Sequence, residues 1–162
     1  MKDETKSKLD AIFDRHEASK RAAAQAKQVV ESKEEAFVRA FNEASDKIIR
    51  PALEEVGKHA KARGISYEIS NEEDKLPTGR EPGRSASIAI TFFPGEKKYP
   101  PTEFPALTVF CEKHKQRVRF HERTMMPGRG GHAGPTGEAD LPQITADLIQ
   151  QKILDVLSQA FR

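Results

Sequence analysis

The chain has 162 residues, 36% of them hydrophobic and 32% charged, and its 27 Lys and Arg nearly balance 25 Asp and Glu. That length suits one domain, the lack of a run of 18 apolar residues excludes a helical membrane span, and the single cysteine, Cys111, excludes a disulfide framework and an all-cysteine metal site. The charged opening Met1-Lys2-Asp3-Glu4 lacks the apolar stretch of a signal peptide, so a cytoplasmic protein without membrane attachment is expected.

Residues 5–63 hold one proline, no glycine before Gly57, and many Ala, Glu, Lys, Gln and Arg, which favour helix. Apolar content divides this stretch. Residues 2–35 contain only Leu9, Ile12, Phe13, Val29 and Val30 as large apolar groups, whereas residues 36–162 contain 33 when Val, Ile, Leu, Met, Phe and Tyr are counted. Leu9, Ile12, Phe13 and His16 share one helical face by their i, i+3, i+4, i+7 spacing, while residues 17–28 carry nothing larger than alanine on any apolar stripe. Residues 1–35 therefore read as a helical extension, exposed or packed on a partner chain, and residues 36–162 as a single α+β domain.

From Phe37 the stripe strengthens, with Phe41, Ala44, Ile48, Ala52, Val56 and Ala60 following on one face that should pack on the domain. Ser32 and Glu35 have capping-box spacing, so a helix can restart there, although a continuous helix fits equally. Pro51 lacks a backbone donor and implies either a kink near Arg50 or a second helix beginning at that point. Gly64 is a helix stop.

Beyond Gly64 the period changes to two. Ile65, Tyr67 and Ile69 alternate with polar residues, as do Ile88, Ile90 and Phe92 with their neighbours, and Leu107, Val109 and Cys111 form the inward set of a third strand. Val118 and Phe120 mark a fourth. With Lys113 and His114 as a two-residue turn, Val109 would face Val118 and Leu107 would face Phe120, with Phe110 opposite Arg117 and Thr108 opposite Arg119. Residues 124–140 hold five of the ten glycines and read as a long loop, either a lid or disordered. Asp140 and Gln143 have cap-to-N3 spacing ahead of a C-terminal helix with Leu141, Ile144, Leu148, Ile149, Ile153, Val156, Leu157 and Ala160 on its apolar face. The expected fold class is α+β: a long N-terminal helix, a four-stranded antiparallel meander and a C-terminal helix, with the helices on one sheet face.

Charge is concentrated in residues 97–132, which carry eight basic and three acidic groups. Alternation sends Arg117, Arg119, His121 and Arg123 to the outer sheet face, with Phe93 and Phe110 on the same side. Guanidinium groups offer forked hydrogen bonds and rings offer stacking, so this face could hold anions or nucleic acid; a plain solvated face is the alternative. In a meander, residues 94–105 and 124–140 leave one end of the sheet, which would bring Lys97, Lys98, Tyr99, Arg129 and His132 into a basic rim. Glu103, Glu112 and Glu122 read as surface charges.

Catalytic signals are weak. Gly128, Gly130 and Ala133 fit G-x-G-x-x-A, but Pro135 and the late helix start deny it the strand-to-helix context that dinucleotide binding requires. Cys111 should be buried on the inward face, away from His121, and Cys111 with His114 lacks a second ligand pair for zinc. No catalytic residue, metal or cofactor is assigned. Three functions are expected, in this order: a non-catalytic binding or adaptor module that contacts its own copy or a client protein through Leu9, Ile12, Phe13, Val29, Val30 and one sheet face; a binder of nucleic acid or anionic ligands; an enzyme of unspecified chemistry.

Overall fold

The structure, a computed structural model, describes residues 1–95 and 98–162. It divides into two units, Met1–Ala36 and Phe37–Arg162. The first unit is entirely helical from Asp3 onward, as part of helix α1 (Asp3–Ala44), and every residue in it except Glu34 is solvent-exposed. The helix runs through Ser32, so the capping-box spacing there marks no restart.

The second unit opens with the end of α1, where Phe37 and Phe41 are buried. The chain then widens into a π turn (Ser45–Ile49), with the Arg50 amide donating to the Ser45 carbonyl five residues back, before helix α2 (Arg50–Ala62). Pro51 supplies the reason. It has no N–H for an i→i−4 bond, and its ring would crowd the carbonyl of Lys47 in a straight helix, so the wider turn absorbs the mismatch. Pro51 then sits in the first turn of α2, where its missing donor is not needed.

Five strands follow: β1 (Ser66–Glu72), β2 (Ser87–Phe93), β3 (Ala106–Glu112), β4 (Arg117–Arg123) and β5 (Ala133–Ala139), antiparallel in the order β1-β2-β3-β4-β5. Helix α3 (Ala146–Ala160) closes the chain. The inward residues Ile88, Ile90, Phe92, Leu107, Val109, Cys111, Val118 and Phe120 pack with Phe41, Ile49, Leu53, Ile149, Ile153 and Val156 in one core. The α+β class and the placement of the long and C-terminal helices agree with the sequence reading.

Three details differ. The sheet has five strands rather than four, because part of the expected glycine-rich loop is β5. Gly134, Pro135 and Gly137 give that segment no hydrophobic alternation, and proline is tolerated there because β5 is an edge strand. A bulge at Phe120/His121 leaves Thr136 between the pairs His121↔Pro135 and Phe120↔Gly137.

The β3–β4 register is displaced by two residues from the expected one. Val109 faces Phe120, Cys111 faces Val118 and Phe110 faces Arg119. The turn takes four residues, 113–116, with Gln116 in the left-handed region at φ 55°, which no glycine advertises. Faces are preserved because the slip is even. Finally, the Asp140 amide does bond the Gln143 side chain at 2.9 Å, but the pair closes a 3₁₀ turn (Leu141–Gln143); α3 starts later, where the Leu148 amide donates to the Thr145 hydroxyl at 3.2 Å.

Candidate functional site

Strand β4 places Arg117, Arg119, His121 and Arg123 on the outer sheet face by simple alternation, and each is half-buried. Every one has a neighbour within the fold, although the buried Nε atoms of Arg117 and Arg119 stand near carboxylates without a hydrogen bond. Arg117 Nε lies 3.5 Å from Asp140 Oδ1 and 3.9 Å from Glu138 Oε2. Arg119 Nε lies 3.2 Å from Glu112 Oε1, and its guanidinium stands 4.8 Å above the Phe110 ring. Arg123 donates from Nε to the Phe104 carbonyl at 2.6 Å and from Nη2 to the Pro101 carbonyl at 2.9 Å, so it ties the β2–β3 connection to the end of β4. His121 meets Phe110 edge-on at 6.2 Å.

Electrostatics follow from this packing. Burial, and then the neighbouring Arg119 and Arg123, hold the His121 imidazole below its ordinary pKa, so the neutral form dominates at pH 7. Burial alone lowers Arg123. The row is thus a set of ion pairs, a cation–π contact and carbonyl bonds, and Glu112, Glu138 and Asp140 offset its charge.

Phe93 shares this face but is buried, with Phe104 packed edge-on at 4.9 Å and 64°. The segment between β2 and β3 therefore covers it and leaves Phe110 as the accessible ring. In the expected rim, Lys98 and Tyr99 are exposed, and Lys97 lies outside the described residues. Arg129 donates to the Arg162 carbonyl, and His132 turns toward Glu122.

That last contact belongs to a cluster the sequence reading missed. Glu122 continues the inward series of Val118 and Phe120, and it is buried rather than a surface charge. Its Oε1 lies 2.8 Å from His132 Nε2, and His132 Nδ1 lies 3.1 Å from the hydroxyl of buried Thr124. The Thr124 amide donates to the His132 carbonyl at 2.9 Å, and the His132 amide returns a bond to the Thr124 hydroxyl at 3.2 Å. Gly131 makes the close approach possible: a Cβ there would stand 2.7 Å from the Thr124 carbonyl oxygen. Hydroxyl, imidazole and carboxylate thus line up, but the hydroxyl is buried and already accepts a backbone bond, so the arrangement clamps the β4–β5 hairpin and presents no accessible nucleophile. The inward phase of Glu122 was the available signal.

A second buried polar contact lies at the opposite sheet end. Lys113 Nζ is 2.8 Å from Asp74 Oδ2, with side chains only 12% and 14% exposed. Nearby Cys111 is fully buried, and its thiol is pushed up to about 12, by burial first and Asp74 second, so it forms no thiolate at neutral pH. A polar cavity of about 610 Å³ lies beside the π turn, lined by Ser45, Asp46, Asn71, Lys75 and Ser87 among others. Among the described residues no group of three His, Cys, Asp or Glu side chains could hold a metal, and no helix is long and apolar enough to cross a membrane.

The other candidate surface is the helix of residues 1–36. Leu9 is 36% exposed, and Ile12, Phe13, Val29 and Val30 are 53–60% exposed. Eighteen residues, five full helical turns, separate Ile12 from Val30, so the two lie on the same line along the helix. No family model, curated protein or solved structure matches this chain.

Proposed function

We propose that the protein is a non-catalytic binding module that docks on another protein chain through the helix of residues 1–36, with the outer sheet face as a second contact surface. The observation that carries this reading is the exposure of Leu9, Ile12, Phe13, Val29 and Val30 on a unit that has no core of its own. Helices present apolar residues in this way when their partner is another helix or a groove. A cytoplasmic setting suits a chain whose single thiol is free and buried.

The anion-binding alternative draws less support, because Arg117, Arg119 and Arg123 are already engaged with carboxylates, carbonyls and a ring. The experiment is chemical cross-linking in cells that express either the wild-type chain or an Ile12→Asp/Phe13→Asp variant. A cross-linked protein species present with the wild type and lost with the variant is the expected result. An identical pattern from both chains, or no adduct from either, overturns the reading.

A further inference from the structure

We infer that residues 9–33 form an antiparallel two-helix coil with a second copy of this chain, in which Ile12 of one copy packs on Val30 of the other. This rests on the docking role of the helix and names its partner.

The first observation is a seam. Leu9, His16, Ala23 and Val30 recur every seven residues, and Ile12, Ser19 and Ala26 fall three residues after the first three of them. These seven positions are the a and d sites of three consecutive heptads and the a site that follows them. None carries a formal charge with His16 neutral, although Asp10, Asp14, Arg15, Glu17, Lys20, Arg21 and Lys27 crowd the same stretch. Phe13 and Val29 flank the seam, so all five exposed apolar residues lie on it or beside it. The stretch is one uninterrupted helix, and the seam is about 33 Å long at 1.5 Å per residue.

The second observation is the order of sizes along it. Large residues stand at the ends and small ones in the middle. A parallel pair would stack Ile12 on Ile12 and His16 on His16, then leave three successive thin layers at Ser19, Ala23 and Ala26. An antiparallel pair centred on residue 21 sets Leu9 against the stem of Lys33, Ile12 against Val30, His16 against Ala26 and Ser19 against Ala23, each twice by symmetry. Large then meets medium or small in the outer layers, and the two axes keep a more even spacing throughout.

Charge selects the same direction. Residues 9–20 carry three acidic and two basic groups, and residues 22–33, which face them about residue 21, carry one acidic and two basic. Antiparallel pairing lays a segment of net charge −1 on one of net charge +1 at both ends, whereas parallel pairing lays each on its own kind and brings Arg15 toward Lys20 of the other copy. A second copy therefore supplies the complement in shape and in charge.

The test uses the full-length chain, in which Cys111 is buried and protonated, so introduced thiols are the reactive ones. His16→Cys and Ala26→Cys proteins are oxidised separately and as an equal mixture, and sedimentation equilibrium gives the mass of the wild type and of Ile12→Asp. The expected result is a disulfide dimer from the mixture alone, a dimeric wild type, and at least a tenfold weaker dimer for Ile12→Asp with circular dichroism unchanged. Cross-linking within each single preparation overturns the antiparallel geometry. A monomeric mass with no cross-link overturns self-pairing, and a cross-linked species of another mass in cells would then leave the docking role standing.

Discussion

His132 Nε2 stands 2.8 Å from Glu122 Oε1, a carboxylate on the inward side of β4, in line with the core residues Val118 and Phe120. A carboxylate in that position needs a partner, because burial penalises the charged form and an unmet acceptor costs free energy. His132→Ala is expected to destabilise the protein by about 1–3 kcal/mol in urea unfolding, since it strands Glu122. Glu122→Gln, which keeps a hydrogen-bonding side chain, should cost less. Equal and negligible effects would show that the clamp contributes nothing.

The Asp74–Lys113 pair should behave as a unit. Both side chains are more than four-fifths buried, so removing either partner leaves a desolvated charge and is expected to cost about 3 kcal/mol. A double-mutant cycle with Asp74→Ala and Lys113→Met should give a double-variant loss well below the sum of the singles. Strict additivity would mean that the two side chains do not interact.

Cys111 should resist thiol reagents in the native protein and react only on unfolding. Its folded-state pKa, raised from 9.0 to about 12, also has a consequence for alkaline stability. Between these values the unfolded thiol loses its proton while the folded thiol keeps it, so stability is present in full below pH 9 and falls as pH rises toward 12. The slope from this group is at most about 1.4 kcal/mol per pH unit. Cys111→Ala should show a shallower alkaline decline; an identical decline would contradict the assignment.

His121 gives the opposite trend. Its folded pKa lies below the unfolded value, so the unfolded state takes up a proton first as pH falls through about 6.5, the ordinary histidine value, and stability declines with it. His121→Gln is expected to flatten that acid-side loss in pH-dependent unfolding. A steeper loss in the variant would show that the imidazole gains, rather than resists, a charge in the fold.

The engaged state of Arg117, Arg119 and Arg123 predicts weak retention of nucleic acid. A mixed nucleic-acid pool at low salt should not bind the wild type above the level of an Arg117→Ala/Arg119→Ala/Arg123→Ala variant. Salt-sensitive binding that the triple variant abolishes would reverse the ranking of the two functional readings. In amide exchange, Arg123→Ala alone should expose residues 102–104, because Arg123 holds the carbonyls of Pro101 and Phe104.

These features differ in how far the chain itself discloses them. The 3.6 and 2.0 periods reveal the end of α1 with α2, α3 and β1–β4, because each turns one regular apolar face inward, whereas helix-favouring composition alone marks residues 3–36. Strand β5 lacks that signature, since Gly134 and Gly137 bring no side chain to the core and Pro135 occupies an edge. The four-residue turn at 113–116 escapes notice because Gln116 adopts a conformation usually marked by glycine. Alternation does place the β4 arginines, but Glu138 and Asp140, two of their partners, come from the strand that periodicity misses and the residue that follows it. Glu122 is legible as an inward acid, whereas His132 reaches it only through the hairpin that Gly131 permits.

The role of the helix is open to one direct measurement. A photo-reactive phenylalanine analogue at position 13 should give protein adducts in cells, and the same group at position 18, on the opposite face of the helix, should not. Adducts at position 13 of twice the chain mass would match pairing with a second copy, and adducts of another mass would match a client. Equal labelling at both positions, or none at position 13, would contradict a docking role for this helix.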